Sequence, residues 1–123
     1  MDRSTIERQT RAFYEAVDAN DPAAFERHLH PDASFAFNDV PPVTGLASVT
    51  EFVQAWKSNF QAVVHDLANL AVDEERGRIG LEIVVTYVFA DGRKVDVKGS
   101  SFLDFEDDLI TAWNVYVDTS SLT

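Results

Sequence analysis

The spacing of the hydrophobic residues changes once along the chain, near residue 61. Before that point apolar side chains recur every three or four residues, first at Ile6, Phe13 and Val17 and later in a stripe after Gly45. Beyond it, four apolar segments over residues 63–72, 79–89, 95–105 and 109–118 are separated by turn residues. Helices followed by an antiparallel meander predict an α+β fold.

Local signals divide the helical half. Ser4 and Glu7 have the spacing of a capping box and predict a helix that begins at Ser4. Pro22 suits the first position of a second helix, over residues 23–29, which Pro31 ends. A first strand is predicted over residues 32–37, and the third helix begins after Gly45.

Size and charge exclude several classes of protein. The 123 residues fit one domain, 1–123, and the chain has no cysteine for disulfides or thiolate metal sites. A net charge of −11 repels nucleic-acid backbones and anionic membrane surfaces. Without a signal-like segment or an apolar run of about 20 residues, we expect a cytoplasmic protein that does not bind membranes.

Several short motifs occur in a characteristic order. They are Asn20-Asp21, His30-Pro31-Asp32-Ala33, Val43-Thr44-Gly45, Asp91-Gly92-Arg93 and Ile110-Thr111-Ala112-Trp113 running on to Tyr116 and Asp118. Together they resemble SnoaL-like proteins of the nuclear transport factor 2-like superfamily. Relatives include polyketide cyclases, ketosteroid isomerases, limonene epoxide hydrolases and non-catalytic binding modules.

The resemblance implies helices packed on a curved antiparallel sheet that forms a cone with one internal pocket. It also implies a small apolar or aromatic ligand and no cofactor. Relatives commonly form homodimers through the outer face of the sheet, and the same is expected here. A shared fold does not fix the reaction, so an enzyme and a non-catalytic module both remain open.

Hairpin registers sort the strand residues between the two faces of the sheet. A two-residue turn at Asp91-Gly92 pairs Ala90 with Arg93, whereas a longer loop is expected at Glu106-Asp107-Asp108. The resulting concave face holds His65, Asn69, Glu82, Val84, Thr86, Val88, Val95, Val97, Gly99, Ser101, Leu103, Trp113 and Val115. The outer face then carries an apolar ridge that would support the dimer, formed by Leu81, Ile83, Val85 and Tyr87.

Glu82 is the main catalytic candidate on this face. A carboxylate inside an apolar cone loses hydration, which suits it to general acid–base catalysis. His65 or Asn69 would orient it, and Ser101 would donate a hydrogen bond to the ligand. The alternatives are a register slip that leaves Glu82 on the surface, or a structural pair with His65 or with an arginine.

Two further candidates follow from the resemblance to ketosteroid isomerases. Their catalytic base aligns with Phe37, and Asp39 lies two residues further along the chain. Their helix-one tyrosine aligns with Phe13, and Tyr14 lies one residue on and about 100° around the helix. A turn-forming Asp39 is the alternative to a ligand-binding one.

Trp56 and Trp113 complete the predicted ligand site. Trp113 could form the floor of a cavity for a planar ligand, and Trp56 lies on the apolar stripe of the third helix. The run His28-Leu29-His30-Pro31-Asp32 resembles metal ligands, but side chains two apart at a helix end diverge. No metal site is therefore predicted. The sequence favours a cofactor-free isomerase, cyclase or hydratase, with a non-catalytic binding or protein-association module as the alternative.

Overall fold

A computed structural model describes residues 1–122 and confirms the α+β class. Its helices are α1 (Arg3–Asp18), α2 (Ala24–His28) and α3 (Leu46–Lys57), and a short 3-10 turn spans Ser120–Leu122. Its strands are β1 (Leu29–Phe37), β2 (Val43–Thr44), β3 (Ala62–Asp73), β4 (Arg78–Val88), β5 (Lys94–Glu106) and β6 (Leu109–Val117). Among the described residues, no helix is long and apolar enough to cross a membrane.

The strands form one open sheet in the order β2-β1-β6-β5-β4-β3. Strands β3 to β6 make the predicted antiparallel meander, but β1 runs parallel to β6, so the sheet is mixed rather than wholly antiparallel. The pairing covers the free edge of β6, the last strand of the meander, which would otherwise expose unpaired backbone groups. It also extends β1 back to Leu29, three residues before the predicted start.

Helix α1 begins one residue before the predicted position. Asp2, not Ser4, is its N-cap, and the Asp2 carboxylate accepts a hydrogen bond from the backbone N–H of Thr5 at 2.8 Å. The helix then buries one face, formed by Ile6, Thr10, Phe13, Tyr14 and Val17. Phe13 and Tyr14 are both buried because the stripe is wide enough to include adjacent positions.

The turns of two hairpins differ from those predicted. The backbone N–H of Phe89 donates to the carbonyl of Arg93, and the backbone N–H of Gly92 donates to the carbonyl of Phe89. The loop between β4 and β5 therefore has three residues. Gly92, with φ +89°, takes the left-handed position that closes such a loop. In contrast, Asp107 and Asp108 have φ of 50° and 68° and form a two-residue turn between Glu106 and Leu109.

The extra loop residue shifts the register of β4 against β5 by one, which exchanges the two faces of β4. Val85 now pairs with Val97, and Leu81 with Ser101. The predicted outer ridge is therefore part of the buried core, and its members are Leu81, Ile83, Val85 and Tyr87. The homodimer inferred from that ridge loses its structural basis. The concave assignments on β5 and β6 are correct for the buried residues Val97, Ser101, Leu103, Trp113 and Val115.

Candidate functional site

An apolar cavity, the inner pocket, lies between α1, α3 and the concave face of the sheet. Its free volume is about 40 Å³, which is room for roughly one to three water molecules. The lining is rich in aromatic rings and consists of Val17, Phe35, Phe37, Phe52, Val53, Trp56, Lys57, Val63, His65, Val85, Tyr87, Trp113, Val115 and Val117. A planar apolar molecule would be surrounded mainly by ring faces and edges.

A second, more polar hollow, the outer cleft, opens beside the inner pocket and has a volume of about 280 Å³. Polar side chains line much of it, including Asn20, Gln54 and Gln61. Three residues line both cavities, namely Val17, Lys57 and Val63. The inner pocket alone is smaller than the roughly 300–1,000 Å³ typical of ligand sites, and the outer cleft adjoins it at these three residues.

An Asp–His pair stands at the edge of the inner pocket. One carboxylate oxygen of Asp18, at the end of α1, lies 2.6 Å from Nδ1 of His65 on β3. The other oxygen accepts the backbone N–H of His65 at 2.7 Å. Both side chains are largely buried, at 13% exposed for His65 and 16% for Asp18. A carboxylate on Nδ1 fixes the ring orientation and leaves Nε2 as the available nitrogen.

Three buried polar groups form a chain beneath this pair. The Tyr14 hydroxyl donates to Oγ of Ser101 at 2.6 Å and accepts the indole N–H of Trp113 at 3.0 Å. Burial raises the pKa of Tyr14 to about 12, against the lowering effect of its hydrogen bonds to Ser101 and Trp113. Tyr14 therefore keeps its proton at every ordinary working pH. The His65 ring also packs against the Tyr14 ring, with centroids 4.8 Å apart.

Lys57, the last residue of α3, reaches across to the end of α1, where its ammonium donates to the backbone carbonyl of Val17. Desolvation lowers the pKa of Lys57, while the nearby Asp18 charge raises it. Lysine is favoured at a helix C-terminus because the last carbonyls carry partial negative charge. The contact places one cation between the two cavities.

The profile of the SnoaL-like domain family matches residues 10–113, which include Asp18, Lys57, His65 and Trp113. The chain belongs to the SnoaL-like domain family. Among curated protein sequences, none matches this SnoaL-like protein significantly.

Solved structures confirm the nuclear transport factor 2-like fold of this SnoaL-like domain. A candidate polyketide cyclase from Xanthomonas campestris pv. campestris is 24% identical, with a TM-score of 0.82, over 98% of this chain and 95% of that one. A nuclear transport factor 2-like protein of unknown function from Burkholderia pseudomallei is 17% identical, with a TM-score of 0.84, over 96% and 94%. TerC co-crystallized with polyporic acid is 13% identical, with a TM-score of 0.84, over 96% and 95%.

Five of the predicted site residues lie together in this SnoaL-like domain. His65, Trp56 and Trp113 line the inner pocket, and Tyr14 and Ser101 lie behind Trp113 in the buried chain of hydrogen bonds. His65 pairs with Asp18 rather than with Glu82. Trp56 contacts aromatic rings of both cavities, with ring centroids 5.2 Å from Phe37 in the inner pocket and 5.3 Å from Phe60 in the outer cleft.

The other three candidates lie outside the pocket. Glu82 is exposed on the outer face because the three-residue loop turns β4 over. Asn69 is exposed as well, with φ 50° at an irregularity of β3, and its amide donates to the Glu82 carboxylate at 2.7 Å. The expected contact between Glu82 and Asn69 thus exists, but in solvent. Asp39 is exposed in the turn after β1.

Two residues that sequence reasoning missed complete the site. Asp18 lies four residues after Tyr14 and so on the same side of α1. This four-residue spacing was the sequence signal that could have placed Asp18 in the site. Lys57 carried no sequence signal, because its long side chain reaches Val17 only through the packing of α3 against α1.

The described residues contain no group of three His, Asp or Glu side chains placed to share a metal ion. In the His28-x-His30-x-Asp32 run, the His28 ring is buried 5.6 Å from the Phe13 ring. Nδ1 of His30 instead accepts the backbone N–H of Asp32 at 3.0 Å. These contacts hold the two rings in local structural roles.

Proposed function

We propose that this SnoaL-like protein binds a small, planar, apolar molecule in the inner pocket and transfers a proton to or from it through His65. The observation that carries the proposal is the position of His65, whose ring lines the pocket while Asp18 holds its Nδ1. Asp18 is the positioning residue. The reaction class is the acid–base chemistry of a cofactor-free isomerase, cyclase or hydratase.

The free nitrogen of His65 supports this role. Among residues 1–122 none hydrogen-bonds Nε2, and no buried side-chain nitrogen or oxygen there is left without a partner, so Nε2 borders accessible space. His65 lines both the inner pocket and an open surface groove that it shares with Arg11 and Asp66. With Nδ1–H donated to Asp18, the lone pair of Nε2 can accept a proton from a C–H or O–H of the ligand. The Asp18 carboxylate then stabilises the imidazolium that forms.

The lining of the pocket favours an aromatic ligand. Rings of Phe35, Phe52 and Trp113 surround the cavity, and apolar contact supplies most of the affinity of such a site. Because the free volume is about 40 Å³, a ring-sized ligand requires the half-buried rings of Phe52 and Trp56 to move aside. TerC, which has the same fold, was co-crystallized with polyporic acid, which supports small-molecule binding as a use of this architecture.

A non-catalytic binding module is the second candidate. The buried groups of Tyr14, Ser101 and Trp113 bond one another, so they hold no unpaired donor for the developing charge of a transition state. Such a module would bind the same class of molecule and leave it unchanged. The two candidates differ only in whether His65 exchanges a proton with the bound molecule.

Elimination of nitrobenzisoxazole tests the proposal. A base removes the ring C–H proton, the carbon–nitrogen bond becomes a nitrile, the N–O bond breaks and a coloured phenolate is released. We expect His65→Gln to slow this reaction by about 100-fold. His30→Gln is the matched control, since His30 is held locally by Asp32, and should react as the unmodified protein does. A change in tryptophan emission without protein-dependent elimination would favour the binding module, and equal rates in both variants would contradict the role of His65.

A further inference from the structure

Lys57 stands where the two cavities meet. It lines both the inner pocket and the outer cleft, and it is the only lysine or arginine among the described residues that does so. Asp21 is the one carboxylate that the described residues contribute to the cleft lining, and it already pairs with Arg27 at 2.5 Å. The ammonium of Lys57 therefore has no carboxylate in direct contact with it, and it is the charge that an incoming molecule meets.

We infer that the ligand of this site carries an anionic group, a carboxylate or an acidic enol or phenol, and that Lys57 binds that group while the aromatic part occupies the inner pocket. The inference rests on the proposed function, because it assigns a chemical class to the molecule that His65 faces. It adds a specificity residue that acts on the ligand directly.

The contact that Lys57 makes in the free protein can be exchanged for a ligand. When the ammonium leaves the Val17 carbonyl, that oxygen still accepts the backbone N–H of Asn20 at 3.1 Å, so no backbone group is left unpaired. The lysine side chain has four rotatable bonds and can follow an anion at the boundary between the cavities.

The overall charge of the protein opposes anion binding only weakly at this point. The nearby Asp18 carboxylate is already held by two hydrogen bonds with His65, and the rest of the net charge of −11 is spread over the surface, where salt screens it beyond about 8–10 Å. A direct ammonium–anion contact in a partly buried site is screened much less. A charge-assisted hydrogen bond is about twice as strong as a neutral one, so the local contact decides the preference.

Naphthoate and its neutral isostere naphthamide test this inference. Both have the same ring system, and only the first carries a charge, so the ratio of their dissociation constants isolates the anion. We expect the unmodified protein to bind naphthoate about tenfold more tightly, as measured by calorimetry and tryptophan emission. Lys57→Met keeps the length and apolar stem of the side chain and should abolish this preference, so that the two dissociation constants become about equal. Lys98→Met, on the exposed outer face of β5, is the control and should retain the preference.

The outcomes separate the two proposals. Equal affinity for both compounds in the unmodified protein, or a preference that survives in Lys57→Met, would overturn the assignment of Lys57 and leave the aromatic pocket intact. A loss of thermal stability in Lys57→Met with an unchanged preference would show that Lys57 only caps α1. If neither compound binds, the proposed pocket fails, and the anionic ligand fails with it.

Discussion

Asp18 holds His65 at two points, through its ring and through its backbone. The carboxylate oxygens lie 2.6 Å from Nδ1 and 2.7 Å from the backbone nitrogen of the same residue. One side chain therefore joins the end of α1 to the start of β3 and fixes the imidazole at the pocket edge. Structure and proposed chemistry depend on the same carboxylate.

Asp18→Asn tests this double contact. An asparagine can accept only one of the two hydrogens, because its amide nitrogen is a donor, so Nδ1 of His65 either loses its partner or gives up its hydrogen and accepts from the amide. We expect a loss of about 1–3 kcal/mol in the free energy of unfolding, measured by chemical denaturation. Nitrogen-15 NMR should also show a change in the tautomer balance of His65. The exposed Asp66→Asn variant is the control, and an equal stability in both variants would contradict the prediction.

Tyr14→Phe tests the buried polar chain. The change keeps the ring but leaves the Ser101 hydroxyl and the Trp113 indole N–H without their shared partner in a site closed to water. We expect a loss of about 2–3 kcal/mol in the free energy of unfolding. Adding Ser101→Ala should recover part of it, because one orphaned group is removed. A double variant that is as unstable as the sum of the two single variants would contradict this coupling.

The raised pKa of Tyr14 makes the folded protein less stable at alkaline pH. The ordinary tyrosine pKa is 10.0 and that of Tyr14 is about 12, so between these values the unfolded chain has released a proton that the folded protein retains. The unfolded state then binds fewer protons, and stability falls as pH rises, by about 1.4 kcal/mol per pH unit from this residue. The contribution of Tyr14 to the free energy of unfolding is complete below pH 10.0 and is lost by about pH 12.

Urea titrations across this range measure the slope. Tyr14→Phe should flatten it, whereas Tyr116→Phe, at an exposed position, should not. Identical slopes in the two variants would show that Tyr14 does not cause the alkaline loss.

The order of the elements could be predicted from the sequence because hydrophobic spacing and turn residues are local signals. All four strands of the meander were predicted to within a residue or two, as for β4, expected over 79–89 and observed at Arg78–Val88. The parallel pairing of β1 with β6 could not be predicted in this way. It joins residues about 80 positions apart and depends on how the finished sheet buries an edge.

The site was harder to predict because one residue in a turn reverses a whole strand. Asp91-Gly92 is compatible with a two-residue or a three-residue loop, and only the second leaves Glu82 outside. Ser101 and Trp113 were placed correctly because the pairing of β5 with β6 does not depend on that loop. The face of His65 was inferred from that of Glu82, and it is correct because the irregularity of β3 between Ala68 and Ala71 turns that strand over as well. Asp18 and Lys57 join the site through helix packing, which no strand register describes.

A pair of substitutions on β4 tests the corrected face assignment. Val85→Glu places a carboxylate where the side chain is 1% exposed and should prevent stable folding, since an unpaired buried charge costs several kcal/mol. Glu82→Gln, three positions away on the exposed face, should change the free energy of unfolding by no more than about 0.5 kcal/mol. Circular dichroism and denaturant titration measure both. A folded Val85→Glu variant would indicate that the first register was right.

The central claim is that an aromatic molecule binds in the inner pocket with its reactive edge against His65. Nuclear Overhauser contacts between bound nitrobenzisoxazole and the protein measure this position directly. We expect the reactive C–H of the compound to contact the His65 ring and its other ring protons to contact Trp113 and Phe52. Contacts confined to the exposed aromatic residues Phe102 and Tyr116 on the outer face would contradict the account.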